Sequence, residues 1–225
     1  MNAIVLGATG LCGRSLLKNC ESSGQFSKVY TLGRRSLPFD STSQQLVEKD
    51  SKKWCDIYPD DNIKIFFSGL GTTRGEAAGF DNQYRIDHDL NLEVAKVAKQ
   101  KGCSTIVIVS SSGANENSYF PYLKMKGEIE RDIIALDFDR TIILRPGALL
   151  GNRSSDKGLL NNIAVKVTGL FYRTRLEKCV GYPVYGDEVG KVGVHLALEK
   201  SIAIADKKVR IVESSEILKI ANKIN

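Results

Sequence analysis

Tyr122 and Lys126 stand four residues apart in Tyr122-Leu123-Lys124-Met125-Lys126, so a helix over this stretch presents both on one face. A tyrosine is a poor proton donor or acceptor at its ordinary pKa of about 10, and a neighbouring ammonium group that stabilises the phenolate makes it a useful one. Lys124, two residues from the tyrosine, falls on another face. The Tyr-x-x-x-Lys spacing is common by chance, and its weight comes from Val109-Ser110-Ser111-Ser112-Gly113 just upstream. A serine at that strand end can donate a hydrogen bond to a carbonyl oxygen as negative charge grows on it during hydride transfer. Ser111 is the favoured member of the three, with Ser112 next, and the residues themselves leave the choice open.

Hydride chemistry needs a carrier, and Gly7-Ala8-Thr9-Gly10-Leu11-Cys12-Gly13 has the form of a dinucleotide-binding turn. It follows the apolar run Ile4-Val5-Leu6 and opens a stretch carrying Leu16 and Leu17, the strand-to-helix setting such a fingerprint requires. Glycines there let the chain turn tightly, approach a pyrophosphate and pack helix on strand, while the free N–H groups of the helix face the phosphates. About twenty residues on, an NAD-specific site would carry an acidic residue on the ribose 2′-hydroxyl. Here Val29-Tyr30-Thr31-Leu32 runs into Gly33-Arg34-Arg35. Guanidinium groups grip a 2′-phosphate bidentately, so the residues predict NADP(H). A later run, Ser68-Gly69-Leu70-Gly71-Thr72-Thr73-Arg74, places glycines where a strand end meets a ligand crevice.

These groups need a scaffold, and the alternation of short apolar runs with helical spacing predicts a doubly wound parallel α/β sheet. Strands are expected near residues 2 to 6, 28 to 32, 45 to 48, 63 to 67, 104 to 109, 140 to 144 and 208 to 212, roughly seven in all. The spacing of Leu90, Val94, Val97 and Ala98 predicts a helix over about Asp81 to Lys101, and a second is expected from about Tyr119 to Leu136. Residues 147 to 185 are irregular: Gly147, Gly151, Gly158, Gly169 and Gly181 interrupt the helical spacing of Leu159, Ile163, Val167 and Leu170. That segment is the expected substrate lid within a single domain spanning 1 to 225.

Composition narrows the class. A hydrophobic fraction of 42% with 26% charged residues excludes a disordered chain, and no apolar run reaches the eighteen or so residues that span a bilayer. The opening Met1-Asn2-Ala3-Ile4-Val5-Leu6-Gly7 lacks a basic or Arg-rich leader pattern, so structure is expected from the first residues. Cys12, Cys20, Cys55, Cys103 and Cys179 have no Cys-x-x-Cys spacing, which argues against zinc and a disulfide framework and for a reducing compartment. The net charge of +6 is scattered, with no basic stripe interleaved with aromatics, so no nucleic-acid partner is expected. His88 and His195 sit apart from any Cys or acidic metal-ligand spacing, so no metal is expected on them; His195, between Val194 and Leu196, reads as a packing or surface residue, and Trp54 as packing at a sheet edge.

Taken together, the residues resemble a short-chain dehydrogenase/reductase of the atypical, extended-like kind. Within it the chain is similar to the Tat-interacting-protein oxidoreductases and, more closely, to the fungal mitochondrial outer-membrane FMP52 family. The segments that carry the likeness include Leu6 to Gly13, Gln25 to Tyr30, Leu70 to Arg74, Tyr84 to Asn91, Met125 to Glu130, Leu144 to Gly147 and Gly181 to Gly190. The resemblance implies a Rossmann-like fold that binds NADPH. By position, Gly7, Thr9, Gly10, Leu11 and Gly13 would hold the pyrophosphate, Arg34 and Arg35 the 2′-phosphate, and Leu70 and Gly71 the adenosine side. Tyr122 and Lys126 would serve the reaction and the nicotinamide ribose, and the segment with Leu149 and Arg153 would close on the nicotinamide end. It also implies a peripheral, cytosol-facing place on the mitochondrial outer membrane. One departure stands out: Asp87 lies near the position where the superfamily often has a catalytic asparagine.

The reading expected on these grounds is an NADPH-dependent reductase of a small carbonyl or enone, with Tyr122 as acid, Lys126 as charge support and Ser111 orienting the carbonyl. The competing expectation is an NADPH-binding regulatory protein that binds protein partners without turnover, favoured by the small substrate region. The oligomeric state is open between monomer and homodimer.

Overall fold

The computed structural model describes residues 1–151, 172–174, 177–199 and 208–224. Seven parallel strands form one sheet: β1 (Asn2–Leu6), β2 (Lys28–Gly33), β3 (Gln44–Val47), β4 (Ile63–Ser68), β5 (Thr105–Val109), β6 (Arg140–Arg145) and, after a small pair, β9 (Val209–Glu213). The order across the sheet is β3-β2-β1-β4-β5-β6-β9, and every pairing is parallel. Strand order reverses between β1 and β4, and in an open α/β sheet the ligand crevice lies beyond the carboxyl ends of the strands at such a switch point. The small pair, β7 (Leu149–Leu150) with β8 (Val184–Tyr185), lies off the main sheet and is also parallel. All seven expected main strands are present within a residue of their expected bounds.

A strand sends successive side chains to opposite faces, and both faces here are covered. From β1, Ala3 and Val5 join one core with Leu16, Leu17, Phe67, Val107 and Leu144, while Ile4 and Leu6 join the other with Phe66, Val94, Ile106, Ile129 and Ile133. The first core is roofed by α1 (Leu11–Ser22), α5 (Gly186–Leu198) and α6 (Ser214–Lys223), the second by α3 (Leu90–Gln100) and α4 (Pro121–Ala135). Burial of a Leu, Ile or Phe side chain stabilises by about 1.5–3 kcal/mol, so the two cores explain why strands such as β4 and β5 are apolar on both sides.

The expected helix from Asp81 to Lys101 is interrupted. It begins as α2 (Phe80–Tyr84), passes through one π-helical turn at Arg85–Asp89, and continues as α3. The apolar spacing of α3 holds, with Leu90, Val94 and Ala98 buried, and the π turn lies one step before it. Helix α4 starts on Pro121, whose fixed φ and missing N–H suit a first helical position. Of the expected lid, Gly147 to Gly151, Tyr172 to Thr174 and Glu177 to Tyr185 are described; Gly158, Leu159, Ile163, Val167, Gly169 and Leu170 lie outside the described residues. Trp54 is buried beneath the crevice near β3, with its indole N–H donating to Glu48 O at 2.9 Å.

Candidate active site

The first turn of α1 is built by backbone contact. Gly7 has φ +78°, a conformation that favours glycine, and a Cβ there would stand 2.6 Å from Leu70 backbone atoms. A Cβ on Gly13 would meet Gly7 O at 2.1 Å, so only glycine lets α1 sit this close to the turn that feeds it. Gly10 caps α1 without a side-chain hydrogen bond, and no acidic residue lies in its first turn. The helix therefore offers unblocked N–H groups to an anion. The Leu11 side chain lies close against Gly151 and Gly186, where a Cβ would stand 2.9 and 2.5 Å from it.

One cavity is lined by Gly7, Ala8, Thr9, Leu70, Arg34 and Arg35, with Leu46, Val47 and Trp54 as its apolar wall. Arg34 and Arg35 are exposed, and neither forms an ion pair with another described residue. Glycine backbone suited to a pyrophosphate and apolar side chains suited to an adenine fit a nicotinamide dinucleotide, with the two guanidinium groups at the edge of the same cavity. Gly71 stands on the other side of the Leu70 turn, where its Cβ position lies 3.3 Å from Asp87 Oδ2.

The catalytic candidates sit on α4 and at the end of β5. Tyr122 is 40% exposed, whereas Lys126 is buried, with Nζ 5.9 Å from the centre of the Tyr122 ring. The same Nζ forms an ion pair with Asp87 Oδ2 at 3.1 Å, and Asp87 is itself buried. Burial alone would push the Lys126 ammonium down; Asp87, with Tyr122 and Glu130, outweighs it, so the pKa lies above the ordinary lysine value. Lys124 points to solvent, as its offset predicts. Among the serines, Ser110 is buried and donates a short hydrogen bond to Glu130, which commits its hydroxyl. Glu130 also takes a bidentate pair from Arg145, at 3.0 and 2.6 Å, and Arg145 reaches on to Glu213 at 3.0 Å. Ser111 is only half-buried and bonds weakly to Ser112 O at 3.3 Å, so its hydroxyl is available. Leu149 is part of β7 and packs against the first core, and Arg153 lies outside the described residues.

Comparison with known proteins adds ancestry to this geometry. A family model described as HIM1 matches residues 59–183. The chain is 55% identical over 222 residues to the mitochondrial protein FMP52 of Candida glabrata, covering 98% of this chain and 95% of that one. To the FMP52 protein of Saccharomyces cerevisiae it is 53% identical over 226 residues, covering 98% and 96%. The chain belongs to the HIM1 family, among the FMP52 proteins. It is also similar to the solved structure of a Thermus thermophilus UDP-glucose 4-epimerase in complex with NAD, with a TM-score of 0.67 at 15% identity over 99% of this chain and 83% of that one. The structure of MoeE5 with UDP-glucose and NAD gives a TM-score of 0.67 at 16% identity, covering 100% and 82%. At such identities the likeness establishes the fold alone, a Rossmann-like parallel α/β sheet.

The π turn serves the site in a way that residue spacing alone does not show. Gln83, Asp87 and Asn91 are all buried and all reach the loop after β4. Gln83 donates to Thr72 O at 3.2 Å, Asp87 accepts from Thr72 N at 2.7 Å, and Asn91 donates to Leu70 O at 3.4 Å. Asn91 also accepts a short hydrogen bond from Ser68. Three polar residues at four-residue steps on a face otherwise suited to burial are the signal that could have found them. The structure gives His88 acidic neighbours on two elements: its ring lies between Asp89, at 2.9 Å, and Asp132, at 3.0 Å, and stacks on Tyr84. Sequence distance hid this, because Asp132 comes from α4.

Proposed function

We propose that the chain is an NADP(H)-dependent oxidoreductase of the short-chain dehydrogenase/reductase type that reduces a small carbonyl or enone. The observation that carries this reading is the half-exposed Tyr122 one helical turn from a buried, charged Lys126, on the same sheet as a glycine turn and two arginines outside the ion pairs of the described residues. The backbone of Gly7, Thr9, Gly10, Leu11 and Gly13 would hold the pyrophosphate, Arg34 and Arg35 the 2′-phosphate, Leu70 and Gly71 the adenosine side. A bound nicotinamide supplies the hydride. Tyr122 gives its hydroxyl proton to the carbonyl oxygen, and the Lys126 ammonium stabilises the phenolate left behind. Ser111 donates a hydrogen bond to the same oxygen and so lowers the cost of the charge that builds there.

The FMP52 relatives are named mitochondrial, and we extend that location to this chain as a peripheral protein on the cytosolic face of the outer membrane. Its partner is a small-molecule carbonyl compound rather than nucleic acid.

Fluorescence titration with NADPH and NADH, alongside turnover on a carbonyl panel, tests the reading. Arg34→Ala combined with Arg35→Ala is expected to weaken NADPH binding about tenfold or more and leave NADH binding unchanged. Tyr122→Phe is expected to lower carbonyl reduction about a hundredfold or more with NADPH affinity retained. Unchanged turnover in Tyr122→Phe removes the tyrosine from its role. NADPH binding that alters affinity for a protein partner, with no NADPH consumed on any carbonyl, supports the regulatory alternative instead.

A further inference from the structure

We propose that Asp87 is a positioning residue that fixes the Lys126 ammonium and the Leu70–Thr73 loop to each other, so that the lysine serving the reaction and the loop serving the adenosine side move as one unit. This role deepens the reductase reading above and rests on it, but the contacts beneath it do not. One carboxylate oxygen of Asp87 accepts from the Thr72 backbone N–H at 2.7 Å, and the other faces Lys126 Nζ at 3.1 Å. Both side chains are buried, and Gly71 lies close enough that its Cβ position is 3.3 Å from the Asp87 oxygen that faces the lysine. The π turn at Arg85–Asp89 adds a residue to the helical turn and brings Asp87 to this spot between loop and lysine.

The groups around the ammonium explain why a carboxylate, and not an amide, is needed there. Lys126 is faced by Asp87 from the π turn and by Tyr122 and Glu130 from its own helix. Glu130 is already held by Arg145 from β6, which is tied in turn to Glu213 at the end of β9. His88, the neighbour of Asp87, is turned to Asp89 and Asp132. Among the ion pairs of the described residues, Asp87 is therefore the one carboxylate on Lys126 that no other cation shares. An asparagine cannot reproduce it: with its oxygen on Thr72 N–H, its amide N–H₂ would point at the ammonium, and in the opposite orientation the Thr72 contact is lost. A buried lysine without its counter-charge loses its proton near neutral pH.

Asp87→Asn, Lys126→Met, the double variant of the two, and Asp87→Glu test the role in two independent ways. The first is thermal unfolding across pH, which needs no activity. In the unchanged protein the Lys126 pKa is raised above its unfolded value, so its contribution is fully present below about pH 10 and is lost only as pH rises through the folded value. In Asp87→Asn the folded pKa falls below the unfolded one. The deficit in Tm is then expected to be largest near pH 7 and to shrink by about half or more by pH 10, and the double variant to recover most of it because no buried charge is left unpaired. A deficit that is flat with pH, together with a double variant as unstable as the two single losses summed, overturns the proposal.

The second readout is turnover. The ratio of kcat for Asp87→Asn to that of the unchanged protein is expected to fall about tenfold between pH 6 and 9 as Lys126 deprotonates. Asp87→Glu, which keeps the charge and displaces the Thr72 contact, is expected to show a loss that is uniform with pH. A pH-independent ratio for Asp87→Asn also overturns the role. Absence of turnover and NADPH binding in the unchanged protein would instead remove the reductase reading, leaving the unfolding data to decide the placement of the lysine.

Discussion

At the first turn of α1 the chain is held by backbone against backbone: Gly13 under Gly7 O, Gly7 against Leu70, with no side-chain cap and no acidic residue. At α4, on the other half of the crevice, it is held by charges taken out of water: Asp87 on Lys126, and Glu130 shared by Ser110 and Arg145. The two halves are therefore sensitive to opposite kinds of change. The half proposed to bind the dinucleotide must stay small, so that phosphate oxygens can reach N–H groups at the helix end. The half proposed to be catalytic must stay charge-balanced, because an ammonium is useful to a tyrosine only while it remains protonated in a buried place.

Gly13→Ala is the sharpest way to break the first half. It adds one methyl group and no charge, yet that carbon would lie 2.1 Å from a backbone oxygen that cannot rotate away. Separation of α1 from the β1 turn is expected to cost about 3 kcal/mol by chemical denaturation, with NADPH binding lost as the N–H groups move out of place. If Gly13→Ala binds NADPH as the unchanged protein does, this turn is not the pyrophosphate site.

The matching change at α4 leaves size alone. Glu130→Gln keeps the shape and removes one charge from a site where Arg145 donates through both Nε and Nη2 and Ser110 through its hydroxyl. Arg145 keeps Glu213 as a partner and is itself one-fifth exposed, so the loss is expected to be about 2 kcal/mol, smaller than that of Gly13→Ala. NADPH affinity is expected to change little. A Glu130→Gln protein of unchanged stability would mean that α4 is held by apolar packing through Met125, Ile129 and Ile133 rather than by its charges.

The same contrast explains which parts of the site can be read from residues alone. Glycine turns declare themselves, because the Gly7, Gly10 and Gly13 spacing follows directly from local chain geometry after an apolar strand. The seven main strands are legible for a similar reason: an all-parallel sheet buried on both faces writes its strands as short apolar runs. Arg34 and Arg35 are legible through their position after β2. Charge pairs are different, since partners come from elements far apart in the chain. Nothing near Asp87 names Lys126, far along the chain on α4, and nothing near Ser110 names Glu130 on the following helix. The residues favour Ser111 without a structural reason; what they do not show is that Glu130 already occupies the Ser110 hydroxyl. The π turn is invisible because the apolar spacing of Leu90, Val94 and Ala98 is that of an ordinary helix, and the polar residues Gln83, Asp87 and Asn91 gain meaning only against the loop they grip.

A smaller effect separates buried charge from the same chemistry near the surface of α4. Asp132 accepts from Arg131 Nε at 2.7 Å and faces His88 Nε2 at 3.0 Å, with about a quarter of its side chain exposed. The Arg131 hydrogen bond, with His88 adding to it against an opposing contribution from burial, holds the Asp132 carboxyl below the usual carboxylate range. Because the folded pKa is depressed, the contribution of Asp132 is present above the unfolded value of about 3.9 and is lost as pH falls through the folded one. Asp132→Asn is therefore expected to lower Tm by no more than about 3 °C at pH 6 to 7, with the difference closing as pH falls below about 4. Differential scanning calorimetry from pH 3 to 7 reads this directly. The direction is opposite to that expected of Asp87→Asn, whose deficit closes toward alkaline pH because a lysine and not the carboxylate decides it. If both deficits closed on the acidic side, the buried pair would be governed by its carboxylate, and Lys126 would remain charged without Asp87.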